Sequence, residues 1–305
     1  MIKNLKTNKI EDNRKEIWAL LQNQNEIYGD FSNPNFLYNG DFYINQRGAT
    51  SYTSQTSTIT YTVDRWALSK IANTKCTKSA QGVTLQHQKT TTGSLYLQPV
   101  SDAINLRGRT VTFSLKYKNL SGKMCLSISD NGGNTTYSTE TTNAEGILTL
   151  TTVVSETCTT LSCEIVKRNT TASFTVLLLE AKLEVGSKAT QFTPRPYEEE
   201  LSLCERFYLR VPNYWGRIAR YSDYRLALII YVNMRSLPKL AFDSYYIQQY
   251  QADSLASASF NDGFTFSVGN RTPACIRILA SKTNHEVHDG LFHFNNLQLD
   301  SEIYI

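Results

Sequence analysis

Apolar and polar side chains alternate in short runs through residues 35–197, which is the pattern of strands with one buried face and one wet face. Clear examples are Phe36–Phe42 and Arg109–Tyr117. The run Val176–Leu179 is apolar throughout and predicts a deeply buried strand. Turns rich in Asn, Asp and Gly separate the runs, and no helical period interrupts them. Many short strands without helices between them predict an antiparallel sandwich.

A proline-locked segment, Pro194–Pro196, separates this region from residues 198–305. Three glutamates, Glu198–Glu200, then occupy the first turn of a predicted short helix, where the helix dipole favours negative charge. Strand patterns resume after this helix and continue to a last predicted strand over Glu302–Ile305. We therefore expect a second, mainly β domain that is led by a short helix.

Residues 1–33 have the spacing of a helical arm. Its apolar positions are Ile10, Ile17, Trp18, Leu20, Leu21 and Ile27. A coiled-coil assignment covers barely three heptads and places Asn13 and Gln24 in the core, so an isolated stem would be marginal. We expect the arm to dock onto another protein, although an amphipathic helix that packs back on its own domain fits the same spacing.

Composition and charge narrow the functional classes. The net charge is only +4, and the lysines and arginines form no cluster, so we expect no nucleic-acid partner. No apolar run is long enough for a membrane span, and the first residues contain no signal-peptide core, so we expect no membrane insertion and synthesis in the cytoplasm. The six cysteines are scattered and predict buried thiols rather than a zinc or redox site.

Candidate catalytic residues are few, and we expect the chain not to be an enzyme. Glu180 and Glu184 share one face of a predicted strand, which suits binding better than catalysis. Asp64 stands beside Arg65, and the adjacency predicts a structural ion pair. None of the common hydrolase, metalloprotease or phosphate-binding motifs occurs.

Candidate metal ligands are equally sparse. His285 and His288 flank a turn with Asp289, and their spacing matches no structural zinc set, so we expect no metal or other cofactor. In a trimer, three copies of one histidine could meet at the axis.

Four motifs stand out along the chain. The first is the junction Leu183–Tyr208, a strand ending in LEVGS, then FTPRPY, then a helix with LSLCERFY. The others are Asn39–Phe42 with Asp64–Trp66, the stretch Asn233–Pro238, and the C-terminal LDSEI. Together these motifs resemble those of bacteriophage fibre and receptor-binding proteins, and the resemblance runs from about residue 35 to the last residue. It implies a carbohydrate-binding-module-like jelly roll over 34–197 and a C-terminal domain over 198–305.

The resemblance also implies a function. We expect a virion fibre, on the head or the tail, that lies on the exterior of the particle and binds host cell-surface polysaccharide. We expect a homotrimer whose N-terminal arm anchors it to another virion protein, such as a capsid, fibre or tail adaptor protein. A purely structural decoration or adaptor protein without glycan binding is the alternative.

Site residues follow from the chemistry of sugar recognition, in which aromatic faces stack on pyranose rings and polar groups bind hydroxyls. The densest aromatic and polar patch comprises Tyr214, Trp215, Tyr221 and Tyr224, which we predict to bind glycan. Packing in the core or between subunits would explain the same patch. Related sugar-binding modules often hold a structural calcium, for which Asp41 and Glu180 are the matching candidates here.

Overall fold

The computed structural model describes residues 32–88, 92–131, 134–168, 172–222, 225–231, 234–236, 238–250, 257–260, 264–272, 275–281 and 290–302. The first strands are β1 (Ser51–Thr53), β2 (Thr60–Tyr61), β3 (Ala67–Leu68), β4 (Thr74–Ser79), β5 (Gly82–His87), β6 (Gly93–Val100), β7 (Thr110–Ser121), β8 (Cys125–Asp130), β9 (Asn134–Tyr137), β10 (Gly146–Val153), β11 (Leu161–Lys167) and β12 (Phe174–Val185). After the helix α1 (Tyr197–Glu205) come β13 (Tyr208–Ser222), β14 (Arg225–Tyr231), β15 (Lys239–Ala241), β16 (Ser244–Tyr250), β17 (Ser257–Phe260), β18 (Thr265–Thr272), β19 (Cys275–Ser281) and β20 (Gly290–Asp300).

Two six-stranded sheets build the first part of the molecule. Sheet A has the strand order β1-β4-β5-β12-β7-β10, and sheet B has the order β2-β3-β6-β11-β8-β9. The strand pairs described in both sheets are antiparallel. The all-β, jelly-roll-like sandwich predicted from the alternating pattern is therefore confirmed.

The main hydrophobic core lies between sheets A and B. Its fully buried side chains include Phe113 of β7, Leu178 of β12 and Trp66, which directly precedes β3. In β12, Val176, Leu177 and Leu178 are each less than a tenth exposed, which confirms the buried strand expected there, and Leu179 is half-buried.

A third sheet, sheet C, lies after residue 208 and has the order β17-β16-β20-β13-β14-β19-β18, with β15 also paired to β20. The long strand β13 pairs with β20 over its first part and with β14 near its end. The two halves of sheet C face each other, because Phe266 of β18 lies 5.7 Å, between ring centroids, from both Phe292 and Phe294 of β20. These rings form the centre of a second hydrophobic core.

A largely buried ion pair holds the segment between the sandwich and sheet C. Arg195 of the FTPRPY segment donates to Glu200 of α1 at 2.8 Å and to the Leu37 carbonyl at 3.3 Å. The other oxygen of Glu200 accepts the Asn39 N–H at 2.6 Å. The short helix was predicted correctly, and its third glutamate binds the first turn of the sandwich in addition to lying near the helix N-terminus.

The structure overturns one strand prediction. Phe36–Phe42 forms tight turns instead of a strand, with the Phe42 N–H donating to the Asn39 carbonyl at 3.0 Å and a positive φ at both residues. Leu37, Tyr38 and Phe42 are buried and Phe36 is half-buried, so the alternating pattern indicates burial here although no strand forms. Strand β20 ends at Asp300, and Glu302 pairs with Arg65 instead of forming the first residue of the strand predicted over Glu302–Ile305. The rest of that prediction lies outside the described residues.

The remaining predictions concern the cysteines, membrane spans, the N-terminal arm and the domain limits. Five of the cysteines are free and buried, as predicted: Cys76, Cys125, Cys158, Cys163 and Cys204. No helix in the described ranges is long and apolar enough to cross a membrane. The predicted anchoring positions of the arm, Ile10 to Ile27, lie outside the described residues, and the domain limits at 33/34 and 197/198 stay predictions.

Candidate functional site

The predicted aromatic patch is divided between two faces of sheet C. Tyr214 and Trp215 are neighbours on β13, so their side chains point to opposite faces. Tyr214 packs against the second hydrophobic core, and burial raises the pKa of its hydroxyl. Trp215 lies on the outer face and is 59% exposed. Within this pair, only Trp215 is placed to meet a ligand.

Trp215 is the end of a row of rings across three strands. It lies directly opposite His293 of β20, and the two rings stack with centroids 4.1 Å apart and an interplanar angle of 17°. His293 in turn lies opposite Tyr246 of β16. We call these three residues the Trp215 surface. The stack uses one face of the indole and fixes its orientation, while much of the ring remains open to solvent.

Polar side chains flank the Trp215 surface. Asn213, Asn295 and Ser244 form the neighbouring cross-strand row and are all exposed. An exposed ring beside amides and a hydroxyl can stack on the apolar side of a pyranose and bind its hydroxyls. Sequence reasoning did not place His293, Tyr246, Asn295 and Ser244 at this surface, because these residues meet Trp215 only through the strand register.

Tyr221 and Tyr224 do not extend this surface in the described structure. Tyr221 belongs to β13, but its side chain and the whole of Tyr224 lie outside the described part of the chain. Six residues of extended strand separate Trp215 from Tyr221, a distance of about 20 Å. The assignment of both tyrosines to a glycan site therefore stays a prediction.

The calcium candidates share a cleft but do not form a cage. Asp41 and Glu180 both line a cleft of about 450 Å³ on sheet A, together with Tyr43, Lys118 and Phe192. Glu180 is paired with Lys116 at 2.7 Å. Calcium takes roughly six to eight oxygen ligands. No group of three or more histidine, cysteine, aspartate or glutamate side chains that could hold a metal occurs among the described residues, which do not include His285 or His288.

A buried cluster of charges joins the sandwich to the end of sheet C. Arg65 pairs with Glu302, and both side chains are completely buried. Arg65 also donates to the Pro99 carbonyl at 2.8 Å, and its guanidinium lies 3.6 Å from the centre of the Phe207 ring. Asp64 was expected to pair with its neighbour, but consecutive side chains diverge, and Asp64 faces Arg47 at 3.7 Å instead.

Arg47 is the second cation of this cluster. Its guanidinium lies between Asp64, Asp300 and Glu302, at 3.7, 3.9 and 3.7 Å. The same group lies 3.9 Å from the centre of the Tyr208 ring. Because these partners come from the sandwich and from the ends of sheet C, the cluster holds sheet C, and with it the Trp215 surface, against the sandwich.

Asp64 makes the stability of this cluster dependent on pH. Burial raises its pKa to about 6, although Arg47 and the hydrogen bonds from Gln46 lower it. A folded-state pKa above the unfolded value means that the stabilising contribution is complete below the unfolded pKa of 3.8 and is lost as the pH rises through about 6. We expect the stability of the protein, relative to an Asp64→Asn variant, to fall between about pH 4 and about pH 7. Urea unfolding of both proteins at the two pH values measures this difference, and a constant or increasing difference would contradict the assignment.

Comparison with known proteins gives weak structural similarity. No protein-family model matches the chain, and no curated protein matches it. A family 22 carbohydrate-binding module of Clostridium thermocellum Xyn10B is 14% identical, with a TM-score of 0.33 over 46% of this chain and 95% of the module. The tandem CBM22 domains of Paenibacillus barcinonensis Xyn10C are 9% identical, with a TM-score of 0.34 over 90% of this chain and 98% of that one. The active domain of tailspike protein 4 of bacteriophage CBA120 is 14% identical, with a TM-score of 0.27 over 50% of this chain and 21% of that one. These scores are too low for the similarity to assign a function to this chain.

Proposed function

We propose that this chain is a virion fibre protein that attaches a bacteriophage particle to host surface polysaccharide. The exposed, oriented indole of Trp215, with amides and a hydroxyl beside it, carries the proposal of glycan binding. The motifs around FTPRPY and their order along the chain support the assignment to a phage fibre.

The proposal has further parts. The particle holds the protein by residues 1–33, on the head or the tail, and displays the β units outward. The protein is a homotrimer and has no enzymatic activity of its own. Weak binding at a single Trp215 surface suits such an arrangement, because several linked copies raise the overall affinity without new contacts.

Replacing Trp215 with alanine tests the glycan site. An aromatic side chain that anchors a ligand contributes about 2 kcal/mol or more, so we expect a loss of at least about tenfold in affinity for immobilised bacterial surface polysaccharides. The substitution removes an exposed side chain, and the fold should remain intact, which circular dichroism checks.

Ile229→Ala is the matched control for this experiment. Ile229 is also an exposed apolar residue of sheet C, but it lies on β14 rather than in the row of rings. Unchanged binding in Trp215→Ala, or an equal loss in Ile229→Ala, would remove the Trp215 surface from the proposal. Binding of no polysaccharide by the unmodified protein would favour the structural decoration protein instead.

A further inference from the structure

A groove crosses the outer face of sheet B, on the side of the sandwich away from sheet A. Two adjoining clefts of about 330 and 340 Å³ form it, and Glu164 of β11 lines both. Pro99 of β6 lines the first cleft, and Leu97 of β6 lines the second. The first cleft reaches Arg235, and the second reaches Lys70. Glu164 is thus the shared centre of a groove with a cation at each end.

The two clefts run along β6 and β11. Leu97 of β6 lies directly opposite Glu164 of β11, and Pro99, the next residue on the same face of β6, lies opposite Ser162. The floor is recessed and apolar, since Leu97 is only 5% exposed and Pro99 beside it is buried.

Glu164 is oriented for ligand binding by two serines. Ser127 donates its hydroxyl to one carboxylate oxygen at 3.1 Å, and Ser162 donates to the other at 2.6 Å. A carboxylate offers about four acceptor positions, so roughly two remain for a ligand. A fixed acceptor above an apolar floor suits a sugar ring, whose edge carries hydroxyl donors and whose face is apolar.

Arg235 supplies charge at one end of the groove. The residue is exposed, and its guanidinium makes no hydrogen bond or ion pair with any described residue. The guanidinium lies 5.8 Å from the centre of the Phe207 ring, which also contacts Arg65. Its backbone N–H donates to the Arg206 carbonyl at 2.7 Å, which fixes the position of the residue at the end of the cleft. An arginine with free donors binds a carboxylate through two parallel hydrogen bonds.

From these four observations we propose that the sheet B groove binds an acidic glycan. A neutral sugar lies on Leu97 and Pro99 and donates hydroxyls to Glu164, and a carboxylate-bearing sugar reaches Arg235. A carboxylate directly beside Glu164 would be repelled, so the ligand is a chain in which acidic and neutral sugars are mixed. The groove belongs to a different sheet from the Trp215 surface, and the two sites can be tested separately.

An array of short immobilised oligosaccharides tests this proposal with the full chain. Neutral chains of glucose, mannose or N-acetylglucosamine are matched with chains in which these sugars alternate with glucuronic or galacturonic acid, and a polyglutamate peptide is included. We expect preference for the mixed acidic chains. Arg235→Ala should weaken that binding about tenfold, as expected for loss of a charged hydrogen bond, and change binding of neutral chains by less than about twofold.

Two further variants complete the test. Glu164→Ala should weaken binding of acidic and neutral chains alike, and Arg109→Ala, which replaces another exposed arginine of the sandwich, should weaken neither. Equal binding of neutral and acidic chains, no effect of Arg235→Ala beyond that of Arg109→Ala, or equal binding of polyglutamate would overturn the proposal. Trp215→Ala on the same array tests the Trp215 surface alone. If this substitution does not weaken binding, the proposed glycan site at Trp215 is rejected, and the proposal for the groove is still tested by the other variants.

Discussion

Replacing Arg65 with methionine should lower the free energy of unfolding by about 3–5 kcal/mol, because it leaves the carboxylate of Glu302 buried without its partner. Both side chains of this pair are completely buried. The substitution also removes the hydrogen bonds to the Pro99 carbonyl and to the Ser101 hydroxyl, and the contact of the guanidinium with Phe207. Methionine has a volume similar to that of arginine, so the decrease in the free energy of unfolding measures mainly the effect of removing the positive charge.

Urea unfolding measures this effect, and two further variants separate its causes. The double variant Arg65→Met/Glu302→Leu removes both charges and should recover most of the loss, since an apolar pair of similar volume is often as stable as a buried ion pair. Arg109→Met changes an exposed arginine and should shift stability by less than about 0.5 kcal/mol. A loss below about 1 kcal/mol in Arg65→Met would mean that Glu302 is hydrated, and that the cluster does not join the two parts of the chain.

Replacing Trp66 with alanine should cost about 3–5 kcal/mol, because it opens a large cavity at the centre of the sandwich. Trp66 is completely buried, stacks on Tyr96 with centroids 5.4 Å apart, and contacts Phe42 at 4.9 Å. Its indole N–H donates to the Asn39 carbonyl at 3.0 Å, so the same side chain also holds the first turn of the sandwich.

Trp66→Phe is the matched variant for this experiment. It keeps most of the apolar volume and removes the donor to Asn39, so we expect a smaller loss of about 1–2 kcal/mol. Thermal and urea unfolding of the three proteins give the order wild type, Trp66→Phe, Trp66→Ala. An alanine variant as stable as the phenylalanine variant would show that the core closes around the missing ring.

The sequence was sufficient to predict those parts of the fold that depend on local patterns. Alternation along β7 predicts a strand with one buried face, the apolar run in β12 predicts a deeply buried strand, and the three glutamates before Leu201 predict the start of α1. The same alternation misled over Phe36–Phe42, because buried apolar residues can also project from tight turns. Here the turns are stabilised by long-range bonds, such as that from the Asn39 N–H to Glu200, which no local pattern reveals.

The candidate sites depended more strongly on the tertiary structure. Trp215 was predicted from its aromatic and polar neighbourhood, but Tyr214 beside it enters the core because alternate residues of a strand face opposite ways. His293 and Glu164 could not be assigned from the sequence, since their neighbours come from other strands through register. Likewise, Glu302 is distant in sequence from its partner Arg65, and local adjacency favoured the wrong pairing with Asp64.

The central claim, that this protein adheres to glycans, is tested most directly by its binding to immobilised bacterial surface polysaccharides before and after mild periodate oxidation. Periodate cleaves the vicinal diols of sugars and leaves polypeptide backbones intact. The account predicts saturable binding to at least one polysaccharide, with loss of that binding after oxidation. Failure to bind any polysaccharide of a broad panel, or binding that survives oxidation unchanged, would contradict it.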